Sequence, residues 1–465
     1  MTRWWRFALA ALAIAGCSEE AKPRFEQIGH SPLLARGMNA APAIIGDYVY
    51  IGSRTEGATH DDAGVLIVDV SDPGNPAVVG QIGAPEQALL GMTSRELRAV
   101  PDKNWLIVMN FACSTDLHAC TRDVNEFGTR GTAETNNIRI YDVSNPTSPQ
   151  LISRTQVGSV TVTAQTVPHE FFLWRDPNDA DRILLFMSTP LGPPSFRILD
   201  ISDPTDVQSL VTWDPFRDGL VDEPPGENAL LHSVTASEDG RTAYLSMTGA
   251  GVSIIDTSQV IDGVTDPVIT GITTPESRVD YSPPAAPGTH CSVTIPGRDL
   301  LLVTDEVYPV PVSPGCPWGW TRMVDIADPA NPIVVGEYKM QVNDPEVCPQ
   351  SNGPEYVTYT AHNPTVTENL ALITWHSGGL RLADITDPAA METITTFTPE
   401  TLPSVNVEDP ALGGDPVLMW SYPIIKDGLI YVVDIRNGLY ILRYTGPYDE
   451  QIADTAFNEG NSNLR

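Results

Sequence analysis

The sequence predicts an all-β protein built from a repeated unit of four antiparallel strands. Three observations lead to this prediction. An apolar run that ends in aspartate and a turn, as in VLIVDVSDP, recurs along the chain. Two further apolar runs, joined by a short polar turn, precede each copy, and one more β-rich stretch follows it. Such recurrence is typical of repeat folds, in which each unit packs against its neighbours.

The end of the third strand marks each unit most clearly. Six copies carry an aspartate there: Asp69, Asp142, Asp200, Asp256, Asp325 and Asp384. The Asp-Pro or Asn-Pro pairs that follow in most copies predict turns closed by a side-chain hydrogen bond. A seventh copy, LYILRYTGP, has Arg443 in the aspartate's place. The polar turns EDGR and KDG, which join the first two strands of their units, are typical of β-hairpins.

Seven such units predict a seven-bladed β-propeller over residues 24–447. The last unit lacks a good fourth strand after Tyr444, whereas Phe25–Leu34 resembles the fourth strands of other units. We therefore expect this N-terminal segment to complete the last blade, close the ring and remove an exposed sheet edge. An open array of sheets or a sandwich is the alternative. Residues 448–465 are predicted to be a flexible tail.

The runs VLIVDVSDP and LRLADITDP resemble the LVIVD repeat of bacterial propellers. The resemblance covers nearly the whole of the predicted mature chain. Since that family is defined by its repeat, the resemblance implies a fold rather than an activity.

The N-terminus resembles that of an exported lipoprotein. Residues 1–16 have a short basic and apolar pattern that is typical of a signal peptide. They end in Ile-Ala-Gly before Cys17, as in a lipobox, which implies cleavage, lipidation of Cys17 and a tether over residues 17–23. Ser18 then favours the outer membrane, with the domain facing the periplasm or the cell surface. An ordinary signal peptide that contains a cysteine is the alternative.

The formal net charge of −32 argues against two classes of partner. A surface this acidic repels nucleic acid and anionic lipid. We therefore expect a small-molecule substrate, or a protein or glycan of the cell envelope, as the partner, with the membrane contacted only through the lipid. We expect the chain to be a monomer.

The other cysteines fit an exported protein, in which disulfides persist. Cys113 and Cys120 lie in one long loop and are predicted to pair. Cys316 and Cys348 flank the outer half of the fifth unit and form a second predicted pair. This leaves Cys291 as the odd thiol, either a buried strand residue or a soft metal ligand.

Four of the eight histidines occupy one position of the repeat, at the start of the first strand. They are His169, His232, His290 and His362. Arg95 takes this place in the second unit, and Ala41 and Ser421 take it in the first and seventh. A repeat that closes on itself would bring these residues to one opening.

Other polar residues should reach the same face of the ring from the ends of second strands. Glu306 follows LLLVTD, and His376 follows LITW. The long connections between units also fall on this face, so the predicted channel mouth lies under a cover of loops. Buried polar groups are costly unless they are paired or bound to metal.

The clustered imidazoles predict a transition-metal site. Nitrogen-rich ligation favours Cu, Zn, Ni or Fe over Ca or Mg. Glu306 is a candidate ligand or proton acceptor, and Arg95 a candidate partner for an anionic substrate or a developing negative charge. The alternative is a structural ring, in which the imidazoles bind neighbouring carbonyl groups at strand ends.

Two short segments also resemble the selenium-binding protein and methanethiol oxidase family, which uses copper. One is HSVTASEDGRTAYLSM, from His232, and the other surrounds Trp375 and His376. The resemblance implies that His232 and His376 are copper ligands. The first functional hypothesis is thus a lipid-anchored metalloenzyme, a copper-type oxidase before a zinc hydrolase. The second is a non-catalytic propeller that binds a protein or glycan on its long-loop face.

Overall fold

The structure is a computed structural model. It describes residues 22–57, 61–83, 92–112, 118–120, 136–158, 160–161, 164–165, 167–190, 194–221, 229–279, 288–308, 315–348, 358–412 and 415–465. The predicted signal peptide, Cys17 and Cys113 lie outside these residues. Within them, no helix combines the length and apolar character needed to cross a bilayer.

The described strands form antiparallel units of four in the order of the sequence. The first unit contains β2 (Asn39–Ile45), β3 (Tyr48–Ser53), β4 (Val65–Asp69) and β5 (Ala77–Ile82), and the second contains β6 (Met92–Val100), β7 (Trp105–Ala112), β8 (Asn137–Asp142) and β9 (Gln150–Gln156). A small hairpin of β10 (Val160–Thr161) and β11 (Ala164–Gln165) follows. The third unit contains β12 (Glu170–Arg175), β13 (Ile183–Ser188), β14 (Phe196–Asp200) and β15 (Gln208–Trp213). One residue pair, Ser53 with Ser94, joins the first two units into one sheet.

The later units repeat this order. They contain β16 (Leu230–Ala236), β17 (Thr242–Thr248), β18 (Gly251–Asp256) and β19 (Thr270–Gly271); β20 (Thr289–Thr294), β21 (Leu300–Asp305), β22 (Thr321–Asp325) and β23 (Ile333–Tyr338); β24 (Pro364–Val366), β25 (Leu370–Thr374), β26 (Leu380–Asp384) and β27 (Glu392–Phe397); and β28 (Ile424–Lys426), β29 (Leu429–Asp434) and β30 (Gly438–Thr445). The fold is therefore all-β with many four-stranded antiparallel sheets, as expected of a propeller.

The repeated aspartates close turns in each unit that carries them. The predicted contact at Asp-Pro is present, for example from the N–H of Gly74 to Asp72 Oδ1 at 3.0 Å. The leading aspartates form the same contact: each accepts a hydrogen bond from the backbone N–H two residues later. These acceptors are Asp69, Asp142, Asp200, Asp256, Asp325 and Asp384, at 2.8–2.9 Å. The recurrence of the aspartate at this position of the repeat thus has a local structural cause.

The seventh unit departs from this pattern at Arg443. Here β30 continues to Thr445 and pairs along its length with β1 (Arg24–Ser31), which runs antiparallel to it. The N-terminal strand therefore takes the fourth position in the sheet that contains β28, β29 and β30.

Neighbouring sheets pack face to face through apolar side chains. Phe172 and Leu184 of the third unit share one buried cluster with Leu231 and Leu245 of the fourth. Because both faces of each sheet are covered in this way, the inner strands are apolar without strict alternation. A disulfide joins Cys316 to Cys348, with a Cα–Cα distance of 5.9 Å. Cys120 is also disulfide-bonded.

The C-terminal residues differ from the flexible tail predicted for 448–465. The short helices of the described chain are the 3-10 turns Leu33–Ala35, Pro101–Lys103 and Gln341–Asn343, helix α1 (Ser258–Ile261) and helix α2 (Glu450–Ala453). After α2, β31 (Phe457–Glu459) pairs with β28, and Ser462 bridges to Leu173 in the third unit. Asn463 exchanges hydrogen bonds with the backbone of Arg175 at 2.7 and 2.8 Å. The prediction failed because this segment pairs through its backbone, and polar composition does not reveal such pairing.

Candidate metal centre

Three polar residues of the first strands lie at β-bulges. The strand register shifts at Arg95 in β6, at His232 in β16 and at His290 in β20, so each is the extra residue of its strand. A bulge leaves one residue out of the ladder and redirects its side chain. The shared irregularity supports the prediction that Arg95 takes the histidine position in the second unit.

The predicted histidines form one row. Ring centroids are 4.2 Å apart from His169 to His232, 4.1 Å from His232 to His290, 4.0 Å from His290 to His362 and 5.2 Å from His362 to His376. Hydrogen bonds between units hold the row in place. Ser188 Oγ donates to the carbonyl oxygen of His232, and Thr304 Oγ1 donates to that of His362. The five predicted ligands therefore lie together.

Glu306 lies against this row, directly after β21. Its Oε1 is 3.1 Å from His362 Nε2 and 3.3 Å from His376 Nε2, and its Oε2 is 3.7 Å from His290 Nε2. Glu306 Oε1 and the Nε2 atoms of His362 and His376 are buried and have no partner in hydrogen-bond geometry. Among the residues that the structure describes, two sets of ligand atoms are close enough to share an ion: His232, His290 and Glu306, and Glu306, His362 and His376.

The outer ring nitrogens fix the direction of two imidazoles. His362 Nδ1 lies 2.7 Å from the carbonyl oxygen of Trp420, to which it must donate a hydrogen bond. His376 Nδ1 lies 3.1 Å from Thr358 Oγ1. Metal-binding histidines are usually oriented by such contacts at the other ring nitrogen. In neutral His362 the lone pair of Nε2 consequently faces Glu306.

The electrostatics of the cluster favour neutral imidazoles around a charged carboxylate. Burial lowers the pKa of His232 and of His362 to about 4. Burial also lowers the pKa of His169 and His290 well below the usual range. For Glu306, burial acts to raise the pKa, but the positive charge that the imidazoles of His362 and His290 carry when protonated outweighs it and holds the pKa well below the usual range. Metal ligands require these protonation states.

The metal-free protein should lose stability in mild acid. The pKa of an imidazole in the unfolded chain is about 6.5, and burial lowers that of His232 to about 4. The unfolded state therefore binds more protons between these pH values. The contribution of His232 to the free energy of unfolding is fully present above pH 6.5 and is lost as the pH falls towards 4. The expected loss is up to about 3 kcal/mol for this group. Urea unfolding in chelator between pH 7 and 4.5 measures it.

The variant His232→Gln is the comparison for this experiment, because it keeps every other titrating group. The pH dependence of its unfolding free energy should be smaller than that of the parent protein. Equal dependence in the two proteins would contradict the lowered pKa of His232.

Two buried arginines lie beside the cluster. The guanidinium carbon of Arg95 is 4.8 Å from the ring centroid of Trp420, and that of Arg54 is 5.0 Å from it. Arg54 Nη2 is 3.8 Å from Asp409 Oδ2, and Arg95 Nη1 is 3.4 Å from His118 Nε2. The pKa of Arg95 is lowered by burial and by Arg54. Two guanidinium groups thus lie beside the histidine row, each near a buried carboxylate, Asp409 for Arg54 and Glu96 for Arg95.

Sequence reasoning missed Arg54, Tyr308 and Trp420. Arg54 follows β3 just as Glu306 follows β21, a signal that was available in the repeat. The ring of Tyr308 lies 6.0 Å from that of His376. Trp420, and not Ser421, takes the histidine position of the seventh unit. Its carbonyl oxygen accepts a hydrogen bond from Thr374 Oγ1 of the sixth unit. In the same way, the carbonyl oxygen of His362 accepts a hydrogen bond from Thr304 Oγ1 of the fifth unit.

Similarity to solved structures is low in sequence. A protein from Lactobacillus plantarum is 10% identical with a TM-score of 0.47, over 77% of this chain and 85% of its own. Raptor from Chaetomium thermophilum is 10% identical with a TM-score of 0.49; the match covers 91% of this chain but only 30% of Raptor.

No curated protein sequence matches this chain. The LVIVD repeat model matches residues 42–83, 133–157 and 322–340. These segments contain the third and fourth strands of the first, second and fifth units. The chain therefore contains LVIVD repeats, and the prediction of this repeat from the sequence is confirmed.

Proposed function

We propose that this protein is a closed seven-bladed β-propeller whose histidine row and Glu306 bind a catalytic transition metal. The succession of four-stranded units and the pairing of β1 with β30 support the closed ring. Closure would bring residues from distant parts of the sequence, such as His169 and His376, together at one axial opening.

The metal proposal depends on the contact between His362 and Glu306, whose facing atoms Nε2 and Oε1 make no hydrogen bond. His362 Nδ1 donates to a carbonyl, so the facing Nε2 of the neutral ring and Glu306 Oε1 present lone pairs to each other at 3.1 Å. This arrangement is repulsive unless a cation lies between them. Two ligand atoms each about 2.0–2.1 Å from a tetrahedral ion are roughly 3.3 Å apart, which agrees with the 3.1 and 3.3 Å contacts of Glu306 Oε1.

Copper is the metal that we propose first, and zinc second. Imidazole nitrogen suits both ions. The resemblance of the segments around His232 and His376 to the methanethiol oxidase family favours copper and an oxidoreductase. When bound, such an ion would supply electron transfer or Lewis-acid chemistry.

The chain's own residues then bind and orient the substrate. Arg54 and Arg95 place two guanidinium groups beside the row, and this charge favours a small anionic substrate. Tyr308 helps to hold Arg54: burial acts to lower the pKa of Arg54, but Tyr308 and Asp409 outweigh it and raise that pKa. Glu306 is the candidate proton acceptor where it does not bind metal.

We also propose that Cys17 anchors the protein to the outer membrane through lipid, with the domain facing the periplasm or the cell surface. In this position the protein would act as a monomer on small molecules of the envelope. The partner alternative, a protein or glycan bound by a metal-free propeller, is distinguished by the metal content.

Metal analysis of the purified protein tests the proposal. We expect chelator-treated protein to take up Cu²⁺ or Zn²⁺ in stoichiometric amounts after dialysis, as measured by elemental mass spectrometry. The double variant His362→Gln/His376→Gln should lose this uptake in part or in full, because it removes two ligand nitrogens.

His30→Gln is the matched control, because His30 lies on β1 and contacts the carbonyl oxygen of Asn437, away from the row. This variant should bind as much metal as the parent protein. A parent protein that binds no metal would contradict the metalloenzyme and favour the binding scaffold.

A further inference from the structure

We propose that the cluster holds two metal ions that share Glu306 as a bridging ligand. This inference rests on the metal-binding function proposed above and goes further by assigning each ligand to one of two ions. One ion would lie between His232, His290 and Glu306 Oε2. The other would lie between His362, His376 and Glu306 Oε1.

The two carboxylate oxygens of Glu306 lie next to different histidines. Oε2 is the oxygen nearer His290, at 3.7 Å, and Oε1 is within 3.3 Å of both His362 and His376. A carboxylate that offers one oxygen to each of two ions bridges them, and ions in such centres are typically about 3.5–4 Å apart. The positions of the oxygens therefore fit a bridge better than a single terminal ligand.

The ligand sets divide in the same way. Within the described part of the chain, the atoms that approach one another closely enough for one ion form two groups of three, and Glu306 is the residue that the groups share. Each group contains two histidines and a carboxylate oxygen, which leaves coordination positions open for exogenous ligands. His169, with its ring 4.2 Å from that of His232, extends the first group.

Burial restricts what else can occupy this space. The exposed fraction is 9% for His232, 1% for His290, 0% for His362 and 1% for His376. Nδ1 of His290 is buried without a hydrogen-bond partner, so no hydrogen bond at this nitrogen fixes the orientation of the ring in the described structure. A bound ion would fix its orientation.

The charges predict an anionic third component. Neutral imidazoles contribute no charge, and one carboxylate does not neutralise two divalent ions. The centre would therefore attract a bridging hydroxide or a small anion such as a carboxylate. Arg54 and Arg95 contact the ring of Trp420, which in turn packs against His362, so their charge would add to the stabilisation of such an anion.

A Cu²⁺ titration of the chelator-treated full chain tests the inference. We expect binding to saturate at two ions per chain, by calorimetry and by elemental analysis after desalting. Because Cu²⁺ ions bridged by a carboxylate are magnetically coupled, the integrated electron paramagnetic resonance signal should be smaller than the total copper. Saturation at one ion would overturn the two-ion centre but not the metal site. Binding of no ion would overturn both.

Paired variants assign the ions without relying on one substitution. His232→Gln/His290→Gln and His362→Gln/His376→Gln should each retain one ion, with a signal equal to the copper bound. Loss of both ions from either variant that still unfolds cooperatively would overturn the assignment. The parent titration gives the stoichiometry even if one variant does not fold.

Discussion

Replacing Glu306 by glutamine is expected to weaken metal binding at least about 100-fold, the upper end of the range for ligand-orienting residues. Glutamine keeps the shape of the side chain but removes the negative charge and offers only one oxygen. The corresponding loss of metal-linked stabilisation is about 3 kcal/mol. Competition titration with a chromogenic chelator measures the affinity, and thermal unfolding with and without metal measures the stabilisation.

Glu392→Gln is the matched control, because Glu392 lies exposed on the outer strand β27. It should bind metal as the parent protein does. The structural-ring alternative makes a different prediction for Glu306→Gln: lower stability in the absence of metal, and no metal binding by either protein. The two interpretations of the histidine row are therefore separated by a single substitution at the residue that contacts three of its members.

The histidine row was predictable from the sequence because the repeat fixes each position relative to its strand. Once His169, His232, His290 and His362 share one place in successive units, any regular packing of those units brings them together. Glu306 was found for the same reason, since it follows a second strand whose end points to the same face. The periodicity of the sequence thus predicted which residues lie together at the site.

The bulges were not predictable in the same way. A bulge at His232 or Arg95 depends on how two strands pair, and apolar alternation does not reveal one extra residue. Trp420 was missed because the histidine position is one residue earlier in the seventh unit than alignment of the apolar runs indicates. The order of residues 448–465 depends on the pairing of β31 with β28 and on contacts of Ser462 and Asn463 with the third unit, which leave no local signal.

Replacing Arg36 by alanine is expected to lower the free energy of unfolding by at least about 3 kcal/mol, since hydrogen bonds from charged donors contribute about 1.5–3 kcal/mol each. Arg36 is fully buried, and burial lowers its pKa to about 9, so it remains charged at pH 7. It donates to the carbonyl oxygens of Asp62 at 2.8 Å, Gly64 at 3.2 Å and Ile51 at 3.1 Å, and also to that of Gly52.

These contacts explain why the loss should exceed that of an ordinary buried side chain. Arg36 follows β1, which belongs to the last sheet, while its acceptors belong to the first unit, so the residue holds the N-terminal strand to the start of the repeat. Arg36→Lys should recover little of the stability, because one ammonium group cannot reach all of these carbonyls. Arg24→Ala, at the exposed first residue of β1, is the control and should change the urea midpoint little. Full recovery by lysine would show that charge alone, and not the guanidinium geometry, stabilises this junction of first and last units.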